Sequence, residues 1–280
     1  MRKLFARVLS ATTTLALLLF CEPASAAELT FVPSGETEAE PYLLEKPASI
    51  ETGKRYPLIV YLHGRGGDHK AQWRMKEFTQ FRKRTAERGY FVLCPHLGTD
   101  HWMNARARRV LTELLDKTLK SYPIDKTRVH MMGMSMGGGG SLIYTMYNKS
   151  RVRSVCNIFG VTDYSQFLKD SPQYKPSMSK ALGGTPDTIP DVYKAQSVMA
   201  HLDTFQKLPI LVLHGDRDIV VPVHHSRQFV KAMKTRGNKV VYKEVAGGRH
   251  LSSFIQGFEN QILDFFDATA APRSKKPQVD

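Results

Sequence analysis

Cysteine is scarce in this chain: three in 280 residues, Cys21, Cys94 and Cys156, with no Cys-x-x-Cys pair. That scarcity argues against thiolate zinc ribbons and thioredoxin-like redox sites. The ten histidines include no His-Glu-x-x-His pattern, and the adjacent pair His224-His225 has no carboxylate or cysteine at ligand spacing along the chain. No metal and no cofactor is therefore expected. Long apolar runs are missing beyond the N-terminus, where the stretch 15–21 is too short to cross a bilayer. Acidic residues are outnumbered, 26 against 40 basic ones, giving a formal net charge of +14. A basic exterior suits polyanions, an anionic envelope surface or acidic polysaccharide. The cations are spread along stretches such as 76–88 and 106–120 without an RNA- or DNA-reading motif. These read as solvated helix faces, and no nucleic-acid partner is expected. No period of about 20 to 50 residues recurs.

What is present begins with an export signal. Arg2, Lys3 and Arg7 form a basic start, the apolar stretch 15–21 follows, and Ala24-Ser25-Ala26 offers a small-residue cleavage site. Cleavage after Ala26 makes 1–26 a signal peptide and the mature chain secreted or periplasmic, with no membrane-spanning segment left. Cys21 follows the bulky Phe20, which speaks against a lipoprotein. Cys94 and Cys156 remain, in apolar strand-like runs that this kind of sheet sets on opposite sides of its central strands; two buried thiols are expected in preference to a disulfide.

From residue 58 onward, apolar runs alternate with amphipathic stretches, the pattern of an α/β chain with a mostly parallel central sheet and helices on both faces. Strands are expected at 58–62, 90–94, 128–132, 154–159, 210–213 and 240–245, with 29–32 and 42–45 adding an antiparallel edge. Helices are expected at 70–87, 105–121, 138–148, 223–235 and 251–267. One domain over 27–267 follows. Within it, 163–207 turns polar and proline-containing, and reads either as a small lid or pocket wall or as a peripheral helical excursion. The end, 268–280, with Pro272, Lys275, Lys276 and Pro277, reads as a disordered basic tail.

Chemistry concentrates at strand ends. Gly133-Met134-Ser135-Met136-Gly137 follows an apolar run and leads into a helical one, so Ser135 can sit on a tight strand-to-helix turn with Oγ thrust outward and helix amides facing incoming negative charge. Asp216 and Asp218 leave the end of the 210–213 strand, and His250 follows Gly247-Gly248-Arg249 after the 240–245 strand. The order Ser, Asp, His belongs to α/β-hydrolases and differs from the chymotrypsin and subtilisin orders. Upstream, His63-Gly64-Arg65-Gly66-Gly67 follows a strand, and its glycines leave backbone amides open to an anionic oxygen. Arg65 N–H and Met136 N–H are the expected oxyanion donors. His63 either shapes that loop or acts directly, while His214, His224 and His225 are the rival bases.

Tyr61-Leu62-His63-Gly64, the serine motif, Leu182-Gly183-Gly184-Thr185-Pro186, His214-Gly215-Asp216-Arg217-Asp218 with Val221-Pro222, and Gly248-Arg249-His250 together resemble the catalytic domain of the prolyl-oligopeptidase (S9) group. Dienelactone-hydrolase-like and feruloyl-esterase-like α/β-hydrolases are similar too. The resemblance spans roughly 58–266 and implies Ser135 as nucleophile, His250 as base and Asp218 as acid, leaving Asp216 to cap its turn. S9 peptidases carry a sizeable N-terminal propeller, and little precedes residue 58 here, so a free-standing carboxylesterase is expected ahead of a peptidase for short peptides. A catalytically silent binding module would need a broken triad, and no break is visible. For substrate, Trp102 in Asp100-His101-Trp102-Met103-Asn104 either stacks on an aromatic or sugar ring or packs in the core or at the rim, and Tyr164, Phe159 and Gly160 border the same cleft. A small-molecule or oligosaccharide ester follows as the expected substrate: acetyl or feruloyl esters on carbohydrate, or polyester ends.

Overall fold

A computed structural model describes residues 26–71 and 73–269. Residues 1–25 of the expected signal peptide and residues 270–280 of the expected tail lie outside the described residues; Ala268 and Thr269 are helical. Eight strands, β1 (Ala27–Phe31), β2 (Glu40–Glu45), β3 (Tyr56–Leu62), β4 (Phe91–Pro95), β5 (Ile124–Met134), β6 (Ser154–Ile158), β7 (Ile210–Gly215) and β8 (Val240–Val245), form one sheet. Their order is β1-β2-β4-β3-β5-β6-β7-β8. β1 and β2 pair antiparallel at one edge, and all strands from β4 onward across the sheet run parallel.

The side chains of each strand alternate between two cores, as the pleat requires. Leu58, Val60 and Leu62 of β3 point to one side with Phe91, Leu93, Met131, Val155 and Val212. Ile59 and Tyr61 point to the other with Val92, Cys94, Met132, Cys156 and Leu211. The first side is covered by α2 (Ala105–Ser121), α3 (Met136–Tyr147) and α7 (His224–Thr235), the second by α1 (Thr79–Glu87) and α8 (Glu259–Thr269). Because both faces are buried, the parallel strands carry near-continuous apolar runs, which is why they stand out in the sequence.

Two expected helices are shorter than their polar patterning implies. The 70–87 stretch becomes helical at Lys76, because Asp68 accepts from the amides of Lys70 and Ala71 (2.7 and 2.6 Å) and closes a turn, and Trp73 is drawn inward to donate to Glu45 (2.6 Å). The 251–267 stretch is split at Gly257, whose φ of +86° ends one turn before α8 begins. Cys94 and Cys156 are both free and buried. β3 and β5 lie between their strands, a separation of about 14 Å at ordinary strand spacing and twice the reach of a disulfide.

The polar 163–207 segment forms three short helices, α4 (Tyr164–Asp170), α5 (Lys175–Leu182) and α6 (Pro190–Gln196). Asp163 caps α4 by accepting from Gln166 N, and Pro176 and Pro190 occupy first-turn positions where no amide is needed. Its Tyr164, Phe167, Met178 and Tyr193 are buried in the same core as α2 and α3.

Candidate active site

Ser135 lies between β5 and α3 with φ +57° and ψ −124°, a strained conformation for any side-chain-bearing residue. The turn is held by Ser135 N donating to Ile158 O (3.0 Å) and Gly139 N donating to Ser135 O (3.1 Å). Both flanking glycines are forced: a Cβ on Gly137 would stand 2.0 Å from Leu62 O, and one on Gly133 would stand 2.4 Å from the Gly137 carbonyl. A second close approach joins the other two loops, since a Cβ on Gly215 would meet Gly248 at 2.3 Å. There Asp216 N donates to Val245 O and Arg217 N to Gly248 O, which locks the loop after β7 to the loop after β8.

That lock brings three remote side chains into one line. His250 Nε2 is 2.8 Å from Ser135 Oγ, and His250 Nδ1 is 2.7 Å from Asp218 Oδ2. Asp218 is fully enclosed; its Oδ1 accepts from Val220 N (2.8 Å) and Val221 N (2.9 Å). His214 stands beneath it, with Nε2 2.9 Å from Val221 O and 3.4 Å from Asp218 Oδ2, and Nδ1 2.7 Å from Ser226 Oγ. Burial alone would raise the Asp218 carboxyl, but the His214 and His250 contacts and the Val221 amide outweigh it and hold the group well below the usual carboxylate range. The ring of Phe159 lies 4.4 Å from that of His250 and backs it on one side. Asp216 is 2.7 Å from Gly247 N through Oδ1 and caps its turn.

The remaining sequence-derived residues separate into two groups. Arg65 follows β3, and Met136 opens α3 beside Ser135; among the described residues neither backbone amide has a hydrogen-bond partner. His63 is buried, its ring bridging the Gly64 and His96 carbonyls at 2.8 and 2.6 Å. Trp102 and Tyr164, in contrast, offer no face to a substrate, being 2% and 1% exposed. Trp102 donates through Nε1 to Ser177 Oγ (2.7 Å), Tyr164 donates to the Trp102 carbonyl (2.8 Å), and their rings meet edge to face at 5.8 Å. Their expected role as substrate-stacking residues is corrected to packing: they dock the three-helix excursion onto the loop after β4. Sequence reasoning had no way to see that Phe167 and Tyr174 would fill the space around the indole.

A hollow of about 670 Å³ adjoins His250, lined by Arg217, Ile219, Val220, Arg249 and Leu251. Ile219 and Leu251 are 89% and 56% exposed, unusual for large aliphatics. The guanidinium groups of Arg217 and Arg249 have no anionic partner among the described residues. Arg217 and Arg249 lie inside the motifs that carry Asp218 and His250, and Ile219, Val220 and Leu251 beside them; the sequence order gives no sign that these residues line one hollow.

A family model described as BD-FAE matches residues 46–233. The uncharacterized peptidase YuxL of Bacillus subtilis (strain 168) is 28% identical over 217 residues, 70% of this chain and 31% of that protein. The uncharacterized peptidase YtmA of the same strain is 25% identical over 119 residues, 42% of this chain and 46% of that protein. The chain thus spans less than half the length of either relative. Among solved structures, a Mycobacterium tuberculosis puromycin-hydrolyzing peptidase is similar with a TM-score of 0.74 and 19% identity, over 90% of this chain and 41% of that one. An S-formylglutathione hydrolase from Agrobacterium tumefaciens is similar with a TM-score of 0.73 and 15% identity, over 89% of this chain and 96% of that one. At these identities the likeness is one of fold.

Proposed function

The chain belongs to the BD-FAE family, an α/β-hydrolase esterase family, and from that premise we propose that it is an exported carboxylesterase working through Ser135, His250 and Asp218. The observation that carries the proposal is the unbroken relay from Ser135 Oγ through His250 to Asp218, at 2.8 and 2.7 Å. A serine hydroxyl is a weak nucleophile until a base removes its proton. His250 Nε2 takes that proton as Oγ attacks the ester carbonyl, and Asp218 holds the proton of the ring on Nδ1 and stabilises the imidazolium. The carbonyl oxygen, now anionic, is received by the amides of Arg65 and Met136; each such donor contributes about 3 kcal/mol to the transition state. His250 then gives its proton to the leaving alcohol, and water repeats the cycle on the acyl-enzyme.

The hollow beside His250 supports a reading of the substrate class. Its exposed Ile219 and Leu251 suit a short alkyl or aryl group, and Arg217 and Arg249 at its edge favour esters that also carry a negative charge. The burial of Trp102 and Tyr164 removes support for stacking on a sugar ring and favours a reading in which the acyl group of an acetyl or feruloyl ester enters this hollow. Export rests on the N-terminal sequence pattern. The peptidase alternative draws on the two Bacillus relatives named as peptidases.

A panel of p-nitrophenyl esters beside aminoacyl-naphthylamides, run on the mature protein and on Ser135→Ala, separates these outcomes. The expected result is ester turnover and fluorophosphonate labelling in the native protein and neither in the variant. Faster amide than ester turnover transfers the function to the peptidase class, and labelling retained by Ser135→Ala sinks the nucleophile assignment.

A further inference from the structure

His224 and His225 open α7, where the sequence offers no third ligand. The fold supplies one from 54 residues upstream: Asp170, at the end of α4. Asp170 Oδ2 is 2.9 Å from His224 Nε2 and 3.2 Å from His225 Nε2, and these three atoms all lie within 4.8 Å of one another. The two rings are stacked, 4.9 Å apart and 21° from parallel, so both present the same edge to the carboxylate. Gln166 Nε2 donates to the other carboxylate oxygen (3.0 Å) and fixes its orientation.

We propose that Asp170, His224 and His225 form a binding site for a divalent transition metal of the zinc type, joining the helical excursion to the loop that carries Asp218. Imidazole nitrogen with carboxylate oxygen is a donor set for zinc, nickel or copper and a poor one for magnesium or calcium. A tetrahedral zinc with bonds of about 2.0–2.1 Å places its ligands about 3.4 Å apart, within a few tenths of an ångström to half an ångström of the two oxygen–nitrogen separations here. His225 is fixed: its side chain is 1% exposed, Phe167 meets its ring at 6.0 Å, and its carbonyl accepts from Thr162 Oγ1. His224 is 36% exposed at the side chain, which gives an ion entry and leaves room for a water as fourth ligand. Binding replaces two N–H···O contacts with two N–metal bonds and one O–metal bond; each neutral ring keeps one proton, carried on Nδ1. The amino end of α7 is electropositive and opposes a cation, so the Asp170 charge is indispensable.

The neighbourhood gives such an ion a consequence. Ser171, next to Asp170, donates through Oγ to Val220 O (3.0 Å), and Val220 N donates to Asp218. An ion at the site therefore ties α4 to the start of α7 and cross-links both ends of the acid loop.

The test is calorimetric titration of Zn²⁺ into tag-free, EDTA-treated full-length protein, with thermal melting in parallel and Co²⁺ as a spectroscopic substitute. The expected results are one equivalent bound, a melting temperature raised by zinc and lowered again by EDTA, and visible Co²⁺ bands of a four-coordinate site. Asp170→Asn and His224→Gln should each weaken binding at least about tenfold and abolish the melting shift. His224 is partly exposed, so His224→Gln keeps the test valid if Asp170→Asn fails to fold. Less than one equivalent bound, or unchanged affinity in His224→Gln, overturns the proposal; the second outcome would place the ion elsewhere, such as among His63, His69, His96 and His101.

Discussion

Replacing Asp218 by asparagine removes one charge and one acceptor without changing shape, and the geometry says what should follow. In the native relay Oδ1 accepts from the Val220 and Val221 amides at 2.8 and 2.9 Å, so an asparagine oxygen will keep that position. Its NH₂ group must then occupy the place of Oδ2, 2.7 Å from His250 Nδ1 and 3.4 Å from His214 Nε2. His214 cannot relieve the conflict, because its Nε2 already faces the Val221 carbonyl at 2.9 Å and a carbonyl only accepts. The amide therefore donates to His250 Nδ1, which forces the proton of the neutral ring onto Nε2, where it points at Ser135 Oγ instead of accepting from it. The imidazolium formed during attack also loses its counter-charge. The matching substitution in a serine protease lowers kcat about 10⁴-fold, or about 5 kcal/mol, and a loss of that order is expected here with KM little changed. The assay is steady-state hydrolysis of p-nitrophenyl acetate, with Asp216→Asn as control. Asp216 Oδ1 only receives the Gly247 amide, a contact asparagine preserves, so the control should stay within about threefold of the native rate. An Asp218→Asn enzyme within about tenfold of native, beside an Asp216→Asn enzyme slowed a hundredfold, would refute the assignment of the acid.

Three further outcomes are expected. Ser135 holds φ at +57°, which glycine adopts without cost, so Ser135→Gly should melt higher than Ser135→Ala although both are inactive; equal melting temperatures would show that the turn stores no strain. Burial raises the Glu45 carboxyl to about 7, against the lowering effect of the Trp73 hydrogen bond and Arg82. The unfolded chain releases that proton near the ordinary value of 4.5, so stability falls between about pH 4.5 and 7 and levels off above; Glu45→Gln should gain several degrees of melting temperature at pH 8, from at most about 3 kcal/mol, and little at pH 4. A gain equal at both pH values would count against the linkage. Arg217→Ala and Arg249→Ala should each raise KM about threefold for a carboxylate-bearing aryl ester and leave neutral acetate unaffected, a selectivity that about 0.5 M salt should erase.

Local sequence carried the strands and the chemistry that depends on them. β3, β6 and β7 are buried on both faces, and the site residues follow strand ends where the neighbouring residue type is dictated: Ser135 after β5, between glycines that lie against the Leu62 carbonyl, and Asp218 after β7 and His250 after β8, on loops joined through Gly215 and Gly248. Such positions are legible because a side chain of any size would collide with backbone. The excursion at 163–207 was less legible because its helices are seven or eight residues long, too short for a periodic pattern to rise above its prolines. Its effect on Trp102 and Tyr164 was invisible for the same reason, since an aromatic ring at a strand end reads equally as a platform for ligand or a plug for core. For Trp102 only the location of Phe167, Tyr174 and Ser177 decides, and those come from a segment more than sixty residues away.

The His224-His225 pair marks the limit of spacing arguments in general. A metal motif written along one helix or hairpin is found by counting residues, but a carboxylate brought in by another element has no spacing to count. Here the two histidines and the carboxylate meet because Thr162, Ser171 and Phe167 fasten α4 to α7 and the acid loop. The same fastening keeps the rings from spreading as consecutive helical residues otherwise do, about 100° apart around the axis. Whatever occupies the gap among those nitrogens, proton or metal, bears on the backbone that presents Asp218 to the relay.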